Sequence, residues 1–188
     1  MNISFLEGNK VNENQKGYLI TKAFNYLRQV CRECQRLIFK IDSQMDQEWK
    51  NIYGNRITRD VSASLQEADR WIVEAIFRMY EHKKDSLVNK GINITFWGED
   101  VEEPIITAGK IVYNDISKRN HWDLWNVWFG WNNTLKTDDD YKADGTIYSF
   151  QSEECPYIKE AKVFSLPLIN IKDDKVLMES IITPLLGL

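Results

Sequence analysis

Between Ile20 and Met45 the apolar side chains fall at Ile20, Phe24, Leu27, Cys31, Cys34, Ile38, Ile41 and Met45, in alternating steps of four and three. That spacing is the a/d seam of a coiled-coil-like helix, sustained for more than three heptads. It predicts one helix from about residue 14 to about residue 48, roughly 50 Å long at 1.5 Å per residue. Such a helix outgrows a compact domain of this size. It must pack along another helix, wrap the rest of the chain, or pair with a second copy, and a homodimer through this helix is one expectation. Arg28, Arg32, Arg36 and Lys40 stand four apart on the same helix and form a basic ridge. Like charges at that spacing oppose one another, so an acidic surface is expected to face them.

After a break at Asn51–Asn55, a second helix is expected from about Asp60 to Gly91. Asp60 or Ser62 can cap it, or Ser64 with Glu67 as a capping box instead; Leu65, Ala68, Ile72, Ile76 and Met79 form its seam, and Gly91 its C-terminal stop. The remaining residues carry strand-like runs at Ile92–Trp97, Ile105–Thr107, Lys110–Tyr113, Leu124–Trp131, Thr146–Phe150, Lys162–Ile171 and Lys175–Ile182. They are rich in β-branched and aromatic side chains and separated by turn residues such as Lys172-Asp173-Asp174. Helices first and strands afterwards predict an α+β fold: a long N-terminal two-helix hairpin packed on a mostly antiparallel C-terminal sheet. The chain is expected to be a single α+β domain over 1–188, helical over about 12–91 and sheet over about 92–188.

Composition narrows the function classes. The 188 residues are 43% hydrophobic and 28% charged, with 9 Gly and 4 Pro, which excludes disordered and collagen-like chains. No apolar run approaches the ~20 residues of a membrane span. The first residues lack the marks of a secretory signal. Three cysteines are too few, and odd in number, for a disulfide framework, so a cytoplasmic location is expected. Net charge is −4, which argues against a nucleic-acid binder. The charge is uneven: residues 1–91 hold 15 Lys/Arg against 12 Asp/Glu, and residues 92–188 hold 9 against 16.

The most unusual stretch is Asn120–Asn133, which carries Trp122, Trp125, Trp128, Trp131 and Phe129. Read as a strand, it puts Trp125, Val127, Phe129 and Trp131 on a core face, and Trp122, Leu124, Asn126 and Trp128 on the other. Indoles combine large apolar area with one N–H donor and suit recognition surfaces. Trp122 and Trp128, flanked by His121, Asn126 and Asn132, are therefore the candidate partner-binding residues.

Other motifs are weaker. Cys31-Arg32-Glu33-Cys34 has CxxC spacing but lies on a helical seam far in sequence from His82 and His121, so core cysteines are expected rather than zinc ligands. Asp138-Asp139-Asp140 and Asp144-Gly145 miss the calcium-loop pattern, since its third and twelfth positions would be Lys142 and Gln151. Asp144, followed by Glu160-Ala161-Lys162 at a later strand, resembles the metal-binding core of the PD-(D/E)XK nuclease-like fold. That resemblance implies Mg²⁺ on Asp144 and Glu160, with Lys162 orienting the attacking water. It covers about twenty residues, and the helix expected after the lysine strand is missing. No dinucleotide-binding, P-loop, nucleophile-elbow or zinc-protease motif occurs.

The sequence thus points to a non-catalytic cytoplasmic protein-binding module without metal or cofactor. An immunity- or antitoxin-like inhibitor using an acidic, Trp-rich surface against a basic partner fits this reading. A metal-dependent nuclease-like hydrolase using Asp144, Glu160 and Lys162, and a structural assembly subunit, are the alternatives.

Overall fold

A run of 33 residues with a clean apolar seam, without proline, forms one helix, α1, over Glu13–Met45. A computed structural model of the chain describes residues 13–45, 47–98, 101–130, 141–151 and 155–188. The chain divides into two compact units, residues 1–41 and 42–188. The described part of the first is the helix itself.

The second unit is built on an antiparallel sheet of seven described strands: β1 Trp49–Asn51, β2 Thr58–Arg59, β3 Ala75–His82, β4 Asp85–Thr95, β5 Ile105–Tyr113, β6 Tyr148–Phe150 and β7 Ile158–Pro167. Their order is β1-β3-β4-β5-β7-β6, with β2 beside β3. The class is therefore α+β with a helix at the N-terminus. Among the described residues no helix is long and apolar enough to cross a membrane.

The expected second helix does not form. Ser64 and Glu67 build a turn instead: Ser62 Oγ hydrogen-bonds Glu67 Oε2, and the Gln66 main chain donates to Ser64 Oγ. A single short 3-10 turn follows at Ala68–Trp71. The chain then enters β3, whose first six residues are all buried. A strand covered on both faces carries apolar residues at nearly every position. Its Ile76 and Met79 can then be read at a helical step as easily as at a step of two. Gly91, expected to stop the helix, is an interior residue of β4, opposite Gly109 of β5. The expected separate runs Ile105–Thr107 and Lys110–Tyr113 are accordingly one strand, with Ala108-Gly109 in its middle.

Two expected strands are helical. Leu124–Trp131 falls partly in a short helix, α2, at Asp123–Trp125, which widens into a π turn at Asn126–Gly130. Lys175–Ile182 belongs to a C-terminal helix, α3, built from Asp174–Leu177, a π turn at Met178–Ile182, and Thr183–Gly187. The expected hairpin turn at Asp173 is its N-cap, with the carboxylate accepting from the Val176 N–H at 2.9 Å.

The sheet is covered on both faces. On one, Ile92, Ile94, Ile106, Ala108 and Phe164 share a side with Lys90 and Lys110. These lysines hydrogen-bond main-chain oxygens of Leu186 and Leu188, which places the end of α3 on that face. On the other, Leu124 and Val127 of the α2 segment lie in a core with Ile105, Ile111, Tyr113, Phe150, Ile158 and Val163.

Candidate functional site

The α1 seam changes character along its length. Ile20 is half-buried, and Phe24, Leu27 and Cys31 are exposed; Phe24 is 58% accessible and Leu27 37%. Tyr18, Tyr26 and Phe39 are exposed on other sides of the helix. Cys34 and Ile38 are buried. Arg28, Arg32 and Arg36 are exposed, Lys40 half so, and Arg36 pairs with Glu33 one turn back at 2.8 Å. One turn on, each ridge residue has rotated by about 40° relative to the last, so the ridge starts at the border of the exposed seam near Phe24 and drifts away from it. Cys31 and Cys34 are free thiols, and burial pushes the Cys34 thiol up to about 12, which makes it inert. Neither joins a metal cluster among the described residues.

The Trp-rich segment is entered through a turn held by hydrogen bonds between Asn120 and the residues after it. The Asn120 main chain donates to Asp123 Oδ2 at 2.8 Å, and Asn120 Oδ1 accepts from the Trp122 N–H at 3.2 Å. Asp123 is fully buried and also accepts from the hydroxyls of Tyr113 at 2.8 Å and Tyr157 at 3.1 Å. Burial raises its pKa, while these donors pull the other way. With a turn of helix in place of a strand, the side chains no longer alternate. Val127 and Trp128 are both buried, and His121, Trp122, Trp125, Asn126 and Phe129 are half-buried.

Trp128, expected on the recognition face, is 5% exposed and packs against the rings of Tyr141 and Tyr148. It belongs to the core cluster, and a helical turn is what carries it inward. His121 meets the Phe77 ring of β3 edge-on at 5.5 Å and Trp122 lies tilted against it at 5.1 Å, and the aromatic path runs on through Trp125 to Phe129. Desolvation lowers the pKa of His121, against the opposing pull of the Asp60 charge. Trp131 and Asn132, like Asp138–Asp140, lie outside the described residues.

Asp144, Glu160 and Lys162 are not gathered. Asp144 is exposed in a turn, where its Oδ1 accepts from the Thr146 N–H at 2.9 Å. The next residue, Gly145, hydrogen-bonds the Ser165 carbonyl. Glu160 lies five residues back along β7, about 16 Å at the rise of a strand. The strand continues to Pro167 and is followed by a 3-10 turn at Leu168–Asn170. No group of three His, Cys, Asp or Glu residues able to hold a metal occurs among the described residues.

No known protein family matches the chain, and neither a curated protein nor a solved structure shows significant similarity to it.

Sequence reasoning missed a buried ion pair. Arg78 of β3, 5% exposed, donates through Nε to Asp42 Oδ1 at 3.0 Å, through Nη2 to Asp42 Oδ2, and through Nη1 to the Arg56 carbonyl. Tyr80 Oη and Asn51 Nδ2 donate to the same carboxylate at 2.6 and 3.3 Å. A cavity of about 330 Å³ opens beside the cluster. Burial and the Asp42 charge push the Tyr80 hydroxyl far above its ordinary value. Arg78 bonds through each of its three nitrogens, so within the second unit the cluster clasps Asp42, in the last turn of α1, to β3. The one sequence signal was a lone arginine in an otherwise apolar run, Ala75–Tyr80.

Proposed function

We propose that this chain is a non-catalytic protein-binding module whose partner packs along the exposed seam of α1. The observation that carries the reading is Phe24, 58% accessible in the middle of a heptad repeat. Ile20, Leu27 and Cys31 follow it at coiled-coil spacing. A soluble helix rarely leaves such a stripe open unless another surface covers it. The stripe is bordered by Arg28 and Arg32, so the partner helix carries an apolar seam with acidic side chains beside it. The half-buried rings of His121 and Trp122 form a smaller shelf on the second unit.

The test is capture from the native host with tagged wild-type chain and with a Phe24→Glu/Leu27→Glu variant. Both substitutions are on exposed positions, so thermal melting should be unchanged. A stoichiometric partner retained by the wild type and lost by the variant supports the reading. Equal retention by both proteins overturns it. Light scattering that gives a 44 kDa dimer (twice the 22.2 kDa chain), with Cys31–Cys31 cross-linking, makes a second copy the occupant.

A further inference from the structure

Residues 60–74, between β2 and β3, form a loop that closes on its own ends. The Asp60 N–H donates to the Ala75 carbonyl at 2.9 Å, and the Glu74 N–H donates to that of Asp60 at 3.0 Å. Inside the loop the Ser62 N–H donates to the Arg70 carbonyl at 2.8 Å, and the Trp71 indole N–H to that of Ser64 at 2.7 Å. Arg70 ties three carboxylates together: Asp60 at 2.6 Å, Glu67 at 3.2 Å and Glu74 at 3.7 Å. A compact loop with joined ends, packed by its own side chains, is an Ω-loop, and such loops often carry function.

These bonds hold apolar side chains out in solvent. Leu65 is 85% exposed and Trp71 53%, and Val61 and Ile72 are exposed as well. Exposed apolar groups gathered on one element mark interaction sites. A loop fixed beforehand loses less entropy when it binds, and tryptophan is among the residue types most often found as binding anchors.

The charge of the loop selects what can cover it. It carries four carboxylates, Asp60, Glu67, Asp69 and Glu74, against the single Arg70. Asp69, two residues before Trp71, is exposed and makes no ion pair among the described residues. The unit that bears the loop, residues 42–188, holds 17 Lys/Arg against 25 Asp/Glu. Anionic lipid headgroups repel such a surface, whereas a basic protein surface is drawn to it.

We propose that the 60–74 loop docks a basic protein, with Trp71 and Leu65 seated in an apolar hollow rimmed by Lys or Arg side chains. This surface is separate from the α1 seam and opposite in charge to the Arg28 and Arg32 border there, so it engages a different kind of surface.

The test uses the tagged full chain carrying Phe24→Glu/Leu27→Glu, which removes the α1 seam as a route of capture, with and without a substitution in the loop. Leu65→Ser and Asp69→Lys alter exposed side chains, so thermal melting should be unchanged. Trp71→Ser also drops the bond to Ser64, and if it fails to fold the other two decide. Expected from the native host is a basic protein held one-to-one, bound about tenfold or more weakly after Leu65→Ser or Trp71→Ser. With that protein purified, Asp69→Lys is expected to slow association about tenfold at low salt and little at high salt. No protein held, a protein held equally by the loop variants, or an acidic partner whose binding is indifferent to salt overturns the proposal. Sedimentation with phosphatidylcholine/phosphatidylserine vesicles and light scattering of the chain alone are run beside it. Vesicle binding or self-association that Leu65→Ser abolishes puts a lipid surface or a second copy in the partner's place, and overturns the proposal too.

Discussion

Gly109 stands directly opposite Gly91 across β5 and β4, and Leu124 closes over both. A Cβ added at Gly109 would lie 2.5 Å from the Lys162 carbonyl oxygen and 2.8 Å from both Leu124 Cδ1 and Val163 Cγ1. At Gly91 the nearest atoms are 3.2 and 3.3 Å away. The two glycines together make the depression that seats the α2 segment on the sheet. Overpacking of this kind is destabilising by about 1–3 kcal/mol. Gly109→Ala is expected at or above the top of that range, because one clashing atom is backbone. Gly91→Ala is expected near the bottom. Urea unfolding of both variants checks the order; equal midpoints would mean that Leu124 does not need the gap.

Among the described residues, Asp42 is the only carboxylate that holds Arg78, and Arg78 is buried. Removing one partner leaves a desolvated guanidinium without its counter-charge, which costs more than the pair contributes. Asp42→Ala is therefore expected to destabilise by about 3 kcal/mol. Replacing both residues, as in Asp42→Leu/Arg78→Met, is expected to recover part of that loss. Denaturant titration of the single and double variants measures the coupling. A double variant no more stable than Asp42→Ala would show that packing, and not the stranded charge, sets the loss.

The parts of the fold legible in the sequence are those whose pattern is one-sided. α1 has one apolar stripe, and its period and extent could be read from Ile20–Met45 alone. The second helix of the expected hairpin is not there because β3 is buried on both faces, so Ala75–Tyr80 lacks the alternation that marks a strand. β5 was split in two by Gly109, a residue chosen for the closeness of Leu124 and not for a turn. In the Trp-rich segment the rings dominated the reading. The signal for its local structure is Asn120 three residues before Asp123, whose side chains hold the turn that leads into α2. Asp173 before Val176 carried the same message for α3. That Lys90 lies opposite Lys110 could not be seen at all, since it depends on the register of β4 against β5.

The difference between Trp128 and Trp122 can be measured directly. Trp128 is sealed against Tyr141, Tyr148 and the core around Val127 and Phe150, whereas Trp122 is half-buried and rests on Phe77. Trp128→Ala is expected to destabilise by about 3–5 kcal/mol, as large-to-small changes in a core do. Trp122→Ala is expected to cost less than half of that. Unfolding midpoints would separate them, and a Trp128→Ala variant as stable as the wild type would return that ring to the surface.

Glu74 makes stability depend on pH in a direction opposite to most carboxylates. Burial raises its pKa above the ordinary 4.5, the neighbouring Asp60 charge and a hydrogen bond to Asp60 add to the rise, and Arg70 opposes it. A carboxyl whose pKa is higher in the folded chain than in the unfolded one contributes stability that is complete below the unfolded value. That contribution is lost as pH rises through the folded value. Glu74→Gln keeps a donor for Asp60 and does not ionise. Its melting temperature is therefore expected to match the wild type near pH 4 and to exceed it at pH 7. Scanning calorimetry at the two pH values reads the difference; a variant that falls below the wild type at pH 7 would mean that Glu74 is held there as a carboxylate by Arg70, with the shift reversed.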